Sequence, residues 1–170
     1  MPDTFIKIAS VTVGSGGAGT ITFTSIPSTY TDLQVMLSLR STGSTFENVT
    51  INFNGVTSNQ YSDRTLQGNG SAASSSQNNS ISAMYPLQAN GNTTANTFSN
   101  AYVYVPNYAG SNNKSVSVDS VTEDNSSTAF ARLVSGLWSN SSAITSITFT
   151  ITGNSIAQYS TATLYGIKNS

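Results

Sequence analysis

Hydrophobic and polar residues alternate along much of this chain, which is the pattern of β-strands with one buried face. The clearest segment is residues 33–39, whose odd positions are all apolar; Met36 is the one apolar residue on the other face. The same period of two recurs at residues 49–53, 115–119 and 146–151. Alternation places β-branched and aromatic side chains together on one side, where they can be buried. The sequence therefore predicts a strand in each of these segments.

Less regular segments predict further strands. Residues 6–13 change parity along their length, which predicts a bulge or bend near Ala9 and Ser10. Residues 21–23 follow a glycine-rich turn, and residues 162–168 form a final apolar segment. These segments extend the predicted sheet structure to both ends of the sequence.

Three segments allow two interpretations each. Four apolar residues from Phe130 have the i, i+3, i+4, i+7 spacing of a helix, but Gly136 interrupts the series and we predict a strand at 129–135. Residues 102–105 are apolar on both faces, which predicts a strand covered either by a second sheet or by a partner chain. Residues 67–80 are low in complexity and predict a flexible surface loop, or a loop that becomes ordered against a neighbouring subunit.

About nine or ten strands result, separated by turn signals such as Asn54-Gly55. This spacing is typical of an antiparallel β-sandwich or barrel. We predict an all-β fold, a jelly-roll-like antiparallel β-sandwich that forms a single domain over residues 1–170.

The composition excludes several kinds of function. Of the 170 residues, 8% are charged, and the chain contains neither His nor Cys, which excludes a Ser-His-Asp triad, a Cys-His pair, a zinc centre and an iron–sulfur cluster. Six basic residues against seven acidic ones leave no electrostatic surface for nucleic acid. We also expect no membrane span, no signal peptide and no cofactor.

The candidate chemical sites in the sequence are weak. Two of the seven carboxylates facing each other would suit glycoside hydrolysis, but no motif pairs them. Residues 119–125 contain three carboxylates and offer oxygen ligands for calcium, yet their order matches no EF-hand loop, and a solvated strand end is the preferred interpretation. Residues 14–19 are glycine-rich but lack the lysine of a phosphate-binding loop, so a hairpin turn is expected. We predict no enzyme activity.

Five side chains are candidates for contact with another molecule. Tyr108 and Trp138 fall in predicted loops, where they form either an interface or a cap over the end of the core. Tyr102 and Tyr104 belong to the strand that is apolar on both faces. The pair Asp63-Arg64 could form an intersubunit ion pair through Arg64, but a surface arginine worth less than about 1 kcal/mol is the preferred interpretation.

Five segments of the chain resemble small virion structural proteins of tailed bacteriophages. They are residues 5–13, 26–33, 105–119, 136–150 and 158–168. The resemblance covers most of the chain in order and weakens over residues 42–97. It is carried by patterns of composition and structure, and it assigns no functional residue.

This resemblance implies a non-enzymatic component of the virus particle. We expect a capsid decoration (cement) protein that binds the outer surface of the head, stabilises the shell and contacts the major capsid protein or other virion proteins. A homotrimer is expected by analogy with the local threefold positions of an icosahedral shell. The alternative is a tail- or fibre-associated module that binds a receptor or carbohydrate with Tyr108, Trp138 and the Asn-rich loops.

Overall fold

The computed structural model describes residues 4–91, 94–123, 125 and 129–168. This part of the chain forms twelve β-strands in two antiparallel sheets and no helix, which confirms the prediction of an all-β sandwich. In chain order the strands are β1 (Phe5–Thr12), β2 (Thr20–Phe23), β3 (Asp32–Leu39), β4 (Phe46–Phe53), β5 (Tyr61–Gly68), β6 (Ala73–Ile81), β7 (Met84–Asn90), β8 (Ser99–Val105), β9 (Lys114–Thr122), β10 (Phe130–Trp138), β11 (Ile147–Ile151) and β12 (Thr161–Ile167).

The prediction of nine or ten strands is wrong, because the hydrophobic pattern does not reveal β5, β6 and β7. Strand β5 turns Asp63 and Thr65 inward, so its buried face lacks an apolar series. None of the nine residues of β6 is buried. Residues 67–80, predicted as a flexible loop, form the end of β5, a turn and most of β6. Strand β7 contains Pro86, which lowers its apparent β-propensity.

Eight of the strands form a jelly roll. They pair as β1 with β12, β2 with β11, β3 with β8 and β4 with β7, so the chain resembles one long hairpin folded over on itself. Folding this hairpin gives the order β1-β12-β3-β8 in one sheet and β2-β11-β4-β7 in the other. Two interleaved Greek keys of this kind are the topology of a jelly roll. Phe5 faces Ile167, so the two terminal strands lie side by side.

Two inserted hairpins extend the first sheet to eight strands. The β5–β6 hairpin is inserted between β4 and β7, and the β9–β10 hairpin between β8 and β11. They meet because β10 pairs with β5, which gives the order β1-β12-β3-β8-β9-β10-β5-β6. The larger sheet therefore ends in β6, on the side opposite β1.

A single cluster of buried hydrophobic side chains lies between the two sheets. Its largest members include Trp138, Tyr61 and Phe53, whose rings pack together; the Trp138 and Tyr61 rings are stacked, with 6.3 Å between centroids. Phe149 of β11 is fully buried in the same cluster. The aromatic side chains hold the inserted strands β5 and β10 against the jelly roll.

Local sequence features explain several strand boundaries. The register of β1 shifts between Lys7 and Ala9, which confirms the predicted bulge. Asn54 and Gly55 both have positive φ, 53° and 67°, in the tight turn that ends β4, where the Val56 N–H donates to the Phe53 carbonyl. Residues from Phe130 onward form a strand, as predicted. A Cβ atom at Gly136 would lie 2.4 Å from the Met84 sulfur, so glycine lets β10 pack closely against β7.

Candidate functional site

The outer face of the eight-stranded sheet carries a row of exposed side chains, four of them apolar and one acidic. Met36 on β3 faces Tyr102 on β8, and Tyr102 faces Asp119 on β9. Asp119 faces Leu133 on β10, and Leu133 faces Leu66 on β5. The exposed fractions are 37% for Met36, 50% for Tyr102, 57% for Leu133 and 55% for Leu66. We call these five residues the outer row.

Four residues of the outer row, Tyr102, Asp119, Leu133 and Leu66, line a groove of about 750 Å³. We call it the outer groove; its lining includes Leu66, Leu133, Tyr102, Tyr104, Asp119 and Arg64. The remaining lining is chiefly neutral and polar, with serines of β6, β9 and β10 and Gln77. With one cation and one carboxylate, the groove has almost no net charge. Such a surface binds through apolar contact and neutral hydrogen bonds, which salt screens little.

Tyr104 is held in one orientation at the side of the groove. Its hydroxyl donates to Asp32 Oδ2 at 2.9 Å, and the other Asp32 oxygen accepts the backbone N–H of Asn107 at 2.9 Å. The hydrogen bond to Asp32, together with burial and the negative charge, raises the pKa of the Tyr104 hydroxyl. The phenol is therefore neutral at physiological pH and its ring is fixed before any ligand arrives.

Arg64 lies on the outer face and reaches toward β6. Its guanidinium donates to the backbone oxygens of Asp63 at 2.9 Å and Asn78 at 3.2 Å, and to Asn79 Oδ1 at 2.9 Å. The Asp63 carboxylate lies on the opposite face, where it is buried and accepts from Asn78 Nδ2 and the Tyr85 N–H. An intersubunit ion pair at this position can therefore use Arg64 but not Asp63.

Tyr108 and Trp138 do not belong to the candidate site. Both side chains are fully buried, so neither is exposed to a partner, and their burial favours the interpretation of a cap on the core. The Tyr108 hydroxyl donates to the carbonyl of Pro27, while burial raises its pKa. Trp138 ends β10 and does not lie in a loop. An isolated aromatic residue near a turn gave no signal that separates these two outcomes.

The carboxylates serve mostly to satisfy buried backbone and side-chain donors. Besides Asp32 and Asp63, Glu47 is buried and accepts from the Ser41 hydroxyl and the Asn154 amide. Of the carboxylates in the described ranges, Asp119 is the one that lines the outer groove. The groove therefore does not present the facing pair that glycoside hydrolysis requires.

The calcium interpretation of residues 119–125 gains no geometric support. Glu123 accepts the backbone N–H of Asn125 at 2.8 Å, Asp119 lies on the outer face of β9, and Asp124 lies outside the described residues. In the part of the chain that the structure describes, no group of three or more His, Cys, Asp or Glu side chains is placed to hold a metal ion.

Sequence reasoning found Tyr102 and Tyr104 but missed the leucines of the outer row. The available signal was apolar residues on the polar parity of a strand. Met36 shows it in β3, where it breaks the alternation, and Leu66 shows it in β5 after Ser62 and Arg64. That signal becomes informative only when the register places these residues side by side.

No protein-family model, curated protein or solved structure matches the chain. The resemblance to virion structural proteins therefore stays a prediction. Within the described ranges, no helix has the length and apolar character to cross a membrane.

Proposed function

We propose that this protein is a non-enzymatic structural component of a bacteriophage particle, a decoration protein of the outer head surface. The observation that carries this proposal is the outer row, in which exposed apolar side chains on β3, β8, β10 and β5 flank Asp119 on β9. Contiguous exposed apolar surface on a folded domain marks a site of interaction. The resemblance to virion structural proteins supplies the biological setting.

The chemistry of the outer groove suits attachment to a protein lattice. Aromatic residues and methionine are enriched at protein interfaces, the cores of interfaces are more apolar than the rest of the surface, and charged residues are depleted there. Tyr102, Leu133 and Leu66 match the central part of such a surface, and the groove serines and Gln77 match its polar rim. Because the chain carries little charge, copies packed densely on a particle repel each other weakly.

The proposed mechanism is bridging of neighbouring shell subunits. A protein that binds only where two subunits meet favours the assembled shell over its dissociated parts by mass action. Each copy contributes apolar contact from the outer row and neutral hydrogen bonds from the surrounding side chains. No chemical step is required.

The first experiment compares particles with and without the protein. We expect particles that lack it to lose infectivity and genome at a lower temperature than complete particles. Re-addition of purified protein restores the resistance. Equal heat resistance of the two kinds of particle would exclude the decoration role.

The second experiment tests the surface. Leu133→Ser is expected to weaken binding to the particle by more than about tenfold, because an apolar anchor at the centre of an interface contributes roughly 2 kcal/mol or more. Tyr159→Asn is the matched control, since Tyr159 is exposed, lies outside the groove and has a positive φ that Asn tolerates. Normal occupancy of particles by the Leu133 variant would show that another surface makes the attachment.

A second candidate function is a tail-associated carbohydrate-binding module. The supporting observation is that the outer groove combines two tyrosine rings with Arg64, Asp119 and Gln77, a mixture that also binds sugars. Tyr108 and Trp138, which the sequence suggested for carbohydrate binding, cannot contact a sugar, because both side chains are buried. Glycan binding that is lost in Tyr102→Ala, with no binding to the head, would favour this function.

A further inference from the structure

Strand β6 is the edge of the eight-stranded sheet opposite β1, and its residues 73–78 lack the protection that the other edges have. Unpaired edge strands attract further strands, so proteins usually shorten them, bend them, or place charges or proline on them. Among the other edges, β1 has a bulge and Lys7, β2 has four residues, and β7 contains Pro86. The ladder of β6 with β5 shifts register only beyond Asn78, between its pairs with Tyr61 and Asp63. Residues 73–78 contain no charge, no proline and no register shift.

The side chains of residues 73–77 of β6 are also exposed, and none of the nine residues of the strand is buried. Contacts beyond the ladder with β5 hold only the far end of the strand, where Arg64 donates to Asn78 and Asn79 and Ile81 packs against the core. Pairing of the outer edge would satisfy the backbone groups that point away from β5. In the described part of the chain, residues 73–78 therefore form a regular, uncharged segment that pairs with β5 on one side and with no strand on the other.

We infer that β6 pairs with β6 of a second copy of this chain, antiparallel and around a twofold axis. The sequence of residues 73–78, Ala-Ser-Ser-Ser-Gln-Asn, is uncharged, so two copies meet without like-charge repulsion. This inference goes beyond the proposed function, because it concerns association of the protein with itself and not the ligand of the groove.

Symmetry makes the geometry of this pair specific. Residues directly opposite each other in an antiparallel ladder turn their backbone groups in the same direction, either both toward the partner strand or both away. For two identical strands, opposed positions must therefore have the same parity. This requires that the twofold axis passes through a residue, which then lies opposite the same residue of the other copy. The two sheets then join into one, with both outer faces on the same side. Ser75 and Gln77 line the groove, so the two outer grooves become continuous across the axis.

This arrangement differs from the trimer expected by analogy with shell symmetry. An antiparallel β6–β6 pair is isologous and closes at two copies. A trimer would need a heterologous contact between two different surfaces. The mass of the free oligomer therefore separates the two possibilities.

The test uses the absence of cysteine from the wild-type chain. Single cysteines are placed in turn at residues 73–78, and the control is Ser115→Cys, because Ser115 is exposed but lies on β9, away from the edge. Opposed Cα atoms in an antiparallel pair lie about 4.5–5.5 Å apart, within the range of a disulfide. We expect one of these cysteine variants to form a disulfide-linked dimer rapidly. Variants with the cysteine at the adjacent positions are expected to form the dimer no faster than the control.

Sedimentation equilibrium supplies the second measurement. The wild-type protein is expected to have the mass of a dimer, and Ser76→Lys is expected to weaken the dimer by about tenfold relative to Ser115→Lys, because like charges approach across the axis. A monomer at all concentrations, a trimer, or cross-linking that does not depend on position would overturn the inference. Each of these results leaves the test of particle binding by Leu133→Ser unaffected.

Discussion

The two outer faces of the sandwich obey the same alternation but carry opposite chemistry. On the four-stranded sheet, Thr22 faces Thr148, and Thr148 faces Asn52; the next row is made of three threonines. On the eight-stranded sheet, the corresponding positions hold the tyrosine and leucines of the outer row. Burial of the inner faces does not dictate either choice. The larger sheet is therefore the face for which we propose contacts with other molecules, whereas threonine and asparagine give the smaller sheet a polar outer face.

The strongest test of this comparison lies within β11. Phe149→Ala, on the inner face, is expected to lower the free energy of unfolding by about 3–5 kcal/mol, because it leaves a cavity in the core. Thr148→Ala, one residue away on the outer face, is expected to change it by less than about 0.5 kcal/mol. Denaturant titration of both variants measures the difference. Similar losses would show that the threonine face is packed against something.

The next largest change in stability is expected from a carboxylate on the inner face of the larger sheet, compared with one on its outer face. Asp63→Ala is expected to lower the free energy of unfolding by about 1–3 kcal/mol, because Asn78 and the Tyr85 N–H lose their acceptor. Arg132 also loses a nearby negative charge; burial lowers the pKa of its guanidinium, and the Asp63 charge opposes that shift. Asp119→Ala on the outer face is the control, with an expected change below about 0.5 kcal/mol. The same loss for both variants would contradict the structural role of Asp63.

Stability at alkaline pH tests two tyrosines that lie on opposite faces of the larger sheet. Burial raises the pKa of Tyr61 above its ordinary value of 10.0, and a hydrogen bond to Asp32 raises that of Tyr104. A raised pKa means that the folded state keeps its proton longer than the unfolded state does. The stabilisation is therefore complete below pH 10 and is lost as the pH rises through the folded-state values.

We expect Tyr61→Phe and Tyr104→Phe each to reduce the loss of stability above pH 10.0, the ordinary pKa of tyrosine. The measurement is the free energy of unfolding on either side of that pH. An unchanged slope in both variants would show that neither hydroxyl is responsible.

The smallest effect on stability is expected where the effect on binding is large. Leu133→Thr and Leu66→Thr give the larger sheet the surface of the smaller one. Each should change the free energy of unfolding by less than about 0.5 kcal/mol, because both side chains are more than half exposed. Thermal denaturation measures this change beside the particle-binding assay. A large destabilisation would mean that the leucines are part of the core.

Much of the fold was predictable because burial imposes a period of two on the strands of the jelly roll. The prediction failed in β5 and β6. In β5 the inward position of Asp63 is polar, because its buried carboxylate is hydrogen-bonded, and in β6 no residue is buried. The site was predictable only in part. Tyr102 stood out in a strand that is apolar on both faces, whereas Leu66 and Leu133 become neighbours only through pairing of two hairpins far apart in the sequence.

The pairing of β1 with β12 also bears on how this molecule can be modified. The N–H of Lys168 donates to the carbonyl of Thr4 at 3.0 Å, so these positions adjoin at the sheet edge opposite β6. A short peptide linker between them would close the chain into a ring, and new ends could be opened in the exposed turn at residues 14–16. Cargo fused near residue 4 or residue 168 would lie at the edge remote from β6, so the protein offers a scaffold for display.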